Sequence, residues 1–250
     1  MQFTHIGIIQ GRLSEPVNGH IQEFPTDWRN EFGLLERCGL THIEWLITKG
    51  TAKSNPAFDN SISLEGLPIS SYCADTLVDS QITNEEYLKE NLLPICQSAV
   101  RNKIKNITIP LLEDSSVEDQ NTREMFKSLI IEYAQEYPDL IFSFECELSI
   151  RGLEEILNLS DNFRVTYDTG NITSYGIEHN EYIDAFHKRI NNVHLKDRTF
   201  DARTVYPSTG DTNFKLIFDK LLLAGYNGLY TLQTARGIPG KEVITILQHK

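Results

Sequence analysis

The chain has 250 residues, 40% of them hydrophobic and 23% charged, enough apolar material to build the core of one large domain or two small ones. Its formal net charge of −12 argues against a duplex-binding face, which needs a basic stripe, but leaves room for a small anionic substrate that answers to the local field. Cys38, Cys73, Cys96 and Cys146 lack CxxC spacing and read as reduced thiols. The start MQFTHIGIIQGR has no signal-peptide pattern, and no run nears the ~20 apolar residues of a membrane span, so the expectation is a cytoplasmic protein without a membrane partner.

In chain order, strand-like and helix-like patterns alternate. Strands are predicted at 4–9, 41–46, 68–73 and 104–109, and then at 141–145, 164–168, 191–195 and 229–233. The first helix, 27–38, opens at Asp27 as N-cap and stops before Gly39. The stretch 47–67 is rich in Ser, Asn, Gly and Pro, and its helix is expected to be short or missing. A helix at 85–102 contains Pro94, which should kink or divide it. Another begins at Asn121 and runs to 136, with Met125, Leu129 and Tyr133 on one stripe. Short helices are predicted at 151–158 and 180–188, a longer one at 212–224 capped by Asp211 and ended by Gly225, and a last one after 240.

The last four strands share a pattern. IFSFE, RVTYD, NNVHL and LYTLQ each carry a ligand-type residue at or near the C-terminal end: Glu145, Asp168, His194 and Gln233. Side chains along a strand alternate faces. Phe142, Phe144, Val165, Tyr167, Val193, Leu195, Tyr230 and Leu232 therefore share one face, while Ser143, Thr166, Asn192 and Thr231 share the other with the four candidate ligands. Neighbouring strands of this kind converge two carboxylates, an imidazole and a carboxamide on one point, which outlines a metal site. Singly, each residue has an ordinary reading as a solvated acid, a hydrogen-bonded core histidine or a surface amide. The signal is their coincidence at equivalent strand ends.

Eight βα units in one domain-sized chain predict an α/β fold, a single (β/α)8 TIM barrel over 1–250, with its active site at the C-terminal strand ends. An open doubly wound sheet is the runner-up, but neither GxGxxG nor GxxxxGK[ST] appears.

On these residues the chain resembles the xylose-isomerase-like TIM barrel superfamily of sugar-phosphate isomerases and epimerases, which also contains apurinic endonucleases. The likeness runs through IGIIQGRLS (6–14), FECEL (144–148), YDTGN (167–171), NVHLKDR (192–198) and GDTNFKLIFDKLLLAGYNGLYTLQTAR (210–236). It implies one divalent metal ion (Mn, Mg, Co or Zn) held by Glu145, Asp168 and His194, with Gln233 standing where the family has a glutamate. It also implies proton abstraction beside a carbonyl through an enediolate, with Glu145 as base. Family epimerases are thought to use the strand-five and strand-eight glutamates on opposite faces of one carbon. Gln233 cannot exchange a proton at neutral pH, although its carbonyl oxygen can ligate a metal. Either Glu145 works alone or another group is the second acid: Glu44 first, then Lys196 and Asp197.

Arg12, Lys196, Arg198, Arg203 and Arg236 fall in loops expected at the same end and suggest an anionic substrate group, such as phosphate or carboxylate, or else salt bridges with the abundant acids. The segment 208–214 (STGDTNF) adds a candidate anion site of backbone amides. Asn171 is read as orienting a ligand or substrate, or as a cap after strand six, and Trp45, Tyr72 and Phe200 as pocket lining or ordinary packing. The expected partner is a small carbohydrate, with no nucleic acid and with a homo-oligomer allowed. Two other functions stay open: a metal-independent lyase or aldolase using Lys196 as a Schiff-base amine, and a non-catalytic sugar-binding barrel in which Gln233 marks a lost base. A metal-dependent endonuclease is disfavoured by the seven histidines, few in suitable places, and by the missing basic face.

Overall fold

The computed structural model describes residues 5–15, 17, 22, 24–51 and 54–233. Eight parallel strands form a closed barrel: β1 (Ile6–Ile9), β2 (Ile43–Leu46), β3 (Ile69–Cys73), β4 (Asn106–Leu111), β5 (Ile141–Cys146), β6 (Phe163–Asp168), β7 (Ile190–Leu195) and β10 (Leu229–Leu232). The order around the barrel is β1-β10-β7-β6-β5-β4-β3-β2. β8 (Asp197–Arg198) and β9 (Thr204–Val205) make a small antiparallel hairpin after β7, which the sequence did not announce. The helices are α1 (Trp28–Arg37), α2 (Glu85–Asn102), α3 (Gln120–Glu136), α4 (Ile150–Leu157), α5 (Thr169–Ser174), α6 (His179–Phe186) and α7 (Phe214–Leu223). The helix expected after 240 lies outside the described residues.

By contact, the chain groups into two compact units. In Leu46–Thr166, β4 lies in register beside β5, from Asn106 opposite Ile141 to Leu111 opposite Cys146, and β3 pairs with β4 through Tyr72 opposite Ile107. Phe142, Phe144 and Phe163 form an aromatic ladder, and Phe144 meets Phe126 of α3 with ring centroids 6.0 Å apart. On the other face of the same strands, Ser143 Oγ lies 2.7 Å from Thr166 Oγ1, which is 3.4 Å from Thr108 Oγ1. The predicted alternation is thus realised: aromatic side chains face the helices and small hydroxyls face one another across the strands.

The second unit, Met1–Trp45 with Tyr167–Lys250, repeats the arrangement in its described residues. β1 pairs with β10 (Ile6 opposite Tyr230), β10 with β7 (Thr231 opposite His194) and β1 with β2 (Ile9 opposite Glu44). Outward-facing Trp45 packs on Trp28 of α1, Tyr167 on Tyr182 of α6, and Tyr230 on Phe218 of α7.

Several local expectations are corrected. Of the two outcomes expected at Pro94, a kink or a break, the break does not occur: α2 continues through it because Leu88, Leu92, Ile95, Cys96 and Ala99 bury one continuous stripe that outweighs the lost backbone bond. The N-cap of α3 is Asp119, which accepts from Thr122 N, and that of α7 is Asn213, which accepts from Leu216 N. The expectation that the helix after β2 is short or missing holds: among the described residues that connection carries one 3-10 turn, Pro56–Phe58. Among the described residues no helix is long and apolar enough to cross a membrane.

Candidate metal centre

β5, β6 and β7 deliver three ligand-type side chains to one place. Glu145, Asp168 and His194 each offer a donor atom, these atoms lie within 4.8 Å of one another, and all three residues are buried. Two hard carboxylates and an imidazole form a donor set suited to a divalent ion. The surroundings of His194 fit that role as well. Its Nε2 lies 2.6 Å from Glu44 Oε2, with both side chains fully buried. An imidazole held through one nitrogen by a carboxylate presents the other for ligation, the usual support of a metal-binding histidine.

Asp168 also closes the N-terminus of α5, its Oδ1 accepting from Asn171 N at 2.7 Å. Its Oδ2 lies 3.3 Å from Lys196 Nζ. The lysine also reaches Asn171 Oδ1 and Gln233 Oε1, each at 3.5 Å. Lys196, Asn171 and Gln233 therefore stand together beside Asp168. α5 begins at the very end of β6, and Gly170 permits this: a Cβ there would lie 3.1 Å from Lys196 O and from the Lys196 and Arg198 side chains.

The remaining candidates divide. Arg12 is buried, its Nη1 donating to Gln10 O at 3.1 Å. Its loop is anchored by Glu31 of α1, whose carboxylate accepts from Gly11 N at 3.0 Å, Leu13 N at 3.2 Å and Ser14 Oγ at 3.0 Å. Burial pushes the Glu31 carboxyl up, and these donors pull it partly back. Arg198 is half-buried, with Nη1 3.5 Å from Ser174 Oγ. Arg203 points into solvent, its Nε paired with Asp201 Oδ2 at 2.9 Å. Arg236 lies outside the described residues.

The amide site expected at 208–214 already holds an anion from the chain itself. Asp197, fully buried, accepts from Thr209 N at 3.0 Å and Gly210 N at 2.9 Å through Oδ2, and from Thr212 N at 3.2 Å through Oδ1. That occupancy overturns the phosphate reading of these amides. It also gives Asp197, weighed as a third choice of acid, a structural task. Trp45 and Tyr72 are packing residues: Trp45 stacks edge-on against Trp28 and Phe24, and the buried Tyr72 hydroxyl lies 3.3 Å from Ser98 Oγ. Phe200 is 71% exposed at the hairpin tip.

Residues 130–246 match the family model described as xylose isomerase-like TIM barrel. No curated protein matches the chain in sequence. Among solved structures, a sugar phosphate isomerase/epimerase from Parabacteroides distasonis is 16% identical, with a TM-score of 0.71 over 99% of this chain and 92% of its own. The 3-keto-D-glucoside 4-epimerase YcjR from E. coli, in its apo form, is 14% identical, with a TM-score of 0.65 over 98% of each chain. The IOLI protein, solved with a zinc atom, is 15% identical, with a TM-score of 0.69 over 98% of this chain and 95% of its own. At these identities the likeness speaks for the fold.

Proposed function

We propose that this chain, a xylose isomerase-like TIM barrel, is a divalent-metal-dependent isomerase or epimerase of a sugar or sugar phosphate. The observation that carries the reading is the convergence of Glu145, Asp168 and His194 within 4.8 Å. These three would hold the ion, and the Gln233 carboxamide oxygen is the candidate fourth donor. The bound ion supplies polarisation of the substrate carbonyl and compensates the negative charge that develops on its oxygen.

The chain's own groups do the rest. A Glu145 carboxylate oxygen removes the proton from the carbon beside the carbonyl. In a one-base isomerisation the same carboxyl returns it to the neighbouring carbon. Epimerisation needs a second proton-bearing group on the opposite face. Gln233 cannot be that group, and Lys196 Nζ, 3.5 Å from Gln233 Oε1, carries protons at that position. Arg12 and Arg198 are candidate cations for an anionic substrate group, and Arg203 pairs with Asp201. On this reading the substrate is a small carbohydrate, and the net charge of −12 argues against nucleic acid as a partner.

The test is metal content after mild purification, for the wild type and for the double variant His194→Ala with Asp168→Ala. About one divalent ion per chain, lost in the double variant, supports the site. Solvent-deuterium exchange into ketoses and ketose phosphates then reads the proton abstraction directly. A wild-type protein that holds no ion after addition of manganese, magnesium, cobalt or zinc overturns the proposal.

A further inference from the structure

We infer that Glu44 is a positioning residue that fixes the tautomer and ring plane of His194, turning Nδ1 toward the cation. The inference rests on the reading of His194 as a metal ligand. It replaces the expectation that Glu44 serves as the second acid.

Glu44 and His194 are each 0% exposed, and Oε2 lies 2.6 Å from Nε2. A carboxylate accepts hydrogen bonds and does not donate them, so the proton of a neutral imidazole resides on Nε2 and the lone pair on Nδ1. The opposite tautomer would set the Nε2 lone pair against the carboxylate oxygen across this short contact. The carboxylate is itself held in place. Asn192 Nδ2 donates to the same Oε2 at 3.2 Å. Asn192 Oδ1 accepts from Thr231 Oγ1 at 2.9 Å, and Thr231 Oγ1 lies 3.4 Å from His42 Nε2.

Four members of this chain sit on barrel strands, Glu44 on β2, Asn192 and His194 on β7 and Thr231 on β10, and His42 lies just before β2. Register locks them together, since Thr231 stands opposite His194 and Ile9 of β1 opposite Glu44. Side chains on strands are held more tightly than side chains on loops, and the contacts of Oε2 with Asn192 Nδ2 and His194 Nε2 hold the Glu44 carboxylate against the ring. Its carboxylate therefore acts through His194.

The experiment compares wild type, His194→Ala, Glu44→Ala and Glu44→Gln by Co2+ titration, reading the dissociation constant and the visible absorption of the bound ion. Glu44→Ala is expected to weaken Co2+ binding by about 10–100-fold and to change the visible band, because the ring is no longer oriented. Glu44→Gln keeps an oxygen that accepts from Nε2–H and is expected to stay within about tenfold of wild type. A folded Glu44→Ala protein with affinity within about threefold of wild type and an unchanged band overturns the inference.

The metal-free wild type supplies a second reading by nitrogen-15 NMR of the imidazole, which does not depend on any variant folding. An Nε2–H tautomer at His194 is expected, and an Nδ1–H tautomer refutes the assignment. The two proposals fail differently. A wild type that binds no Co2+ removes the metal reading, while the tautomer still decides whether Glu44 orients the ring. Loss of binding in His194→Ala with full binding in Glu44→Ala removes only the role of Glu44.

Discussion

Acidification should destabilise the fold through His42. Its side chain is 6% exposed, with Nδ1 2.9 Å from Thr41 Oγ1 and Nε2 3.4 Å from Thr231 Oγ1. Burial pushes the imidazole from the usual 6.5 down to about 4; the nearby Glu44 carboxylate opposes the change and His5 adds to it. The folded protein therefore holds His42 neutral where the unfolded chain would already bind a proton. Stability is complete above about pH 6.5, falls as the pH drops toward about 4, and loses nothing further from this group below that. At its full extent the displacement is worth about 3 kcal/mol, and between pH 7.5 and pH 5 the loss is about 2 kcal/mol. Urea unfolding of wild type and His42→Gln at both pH values isolates the effect, because His179, also lowered to about 4 by burial, contributes equally to both proteins. Wild type should lose about 2 kcal/mol more than the variant on acidification. Parallel losses in the two proteins would refute the reasoning.

Gly210→Ala should open the loop between β9 and α7, since its Cβ would lie 2.4 Å from Asp197 Oδ1 and 2.8 Å from Arg198 O. The expected cost is about 1–3 kcal/mol, with faster hydrogen exchange at Thr209 and Thr212; unchanged protection at those amides would count against the Asp197 anchor. Phe144→Ala removes a fully buried ring 5.2 Å from Phe163 and 6.0 Å from Phe126. It should cost about 3–5 kcal/mol and lower Tm by on the order of 10 °C, whereas a shift of a degree or two would show that the ladder is loosely packed.

The strand periodicity was legible because it is a local property. Ser143 and Glu145 had to share a face whatever the tertiary fold, as did Thr166 with Asp168 and Asn192 with His194, and the structure places aromatic residues of β5, β6 and β10 against α3, α6 and α7. Eight such runs separated by helical stretches left few architectures open, and the closed barrel follows. Helix ends were less secure. Asp27 precedes α1 without a side-chain cap bond, and α7 is capped by Asn213, two residues beyond the predicted Asp211, because several residues near each end can accept the same amide.

Glu44 shows the limit of reading along the chain. It stands 150 positions from His194, and nothing local to β2 distinguishes a carboxylate that meets substrate from one that orients an imidazole. Asp197 hides its task in the same way: STGDTNF offers amides that suit a phosphate, and only folding shows that a side chain twelve residues earlier fills them. Arg203, expected to meet substrate, turns back to Asp201 within its own hairpin. The sequence by itself determined which residues share a strand face and which strand ends bear ligand-type groups, since backbone alternation depends only on neighbours. Only the tertiary structure decided which partner each polar group meets, because that is fixed by strand register and by the burial of whole elements against one another.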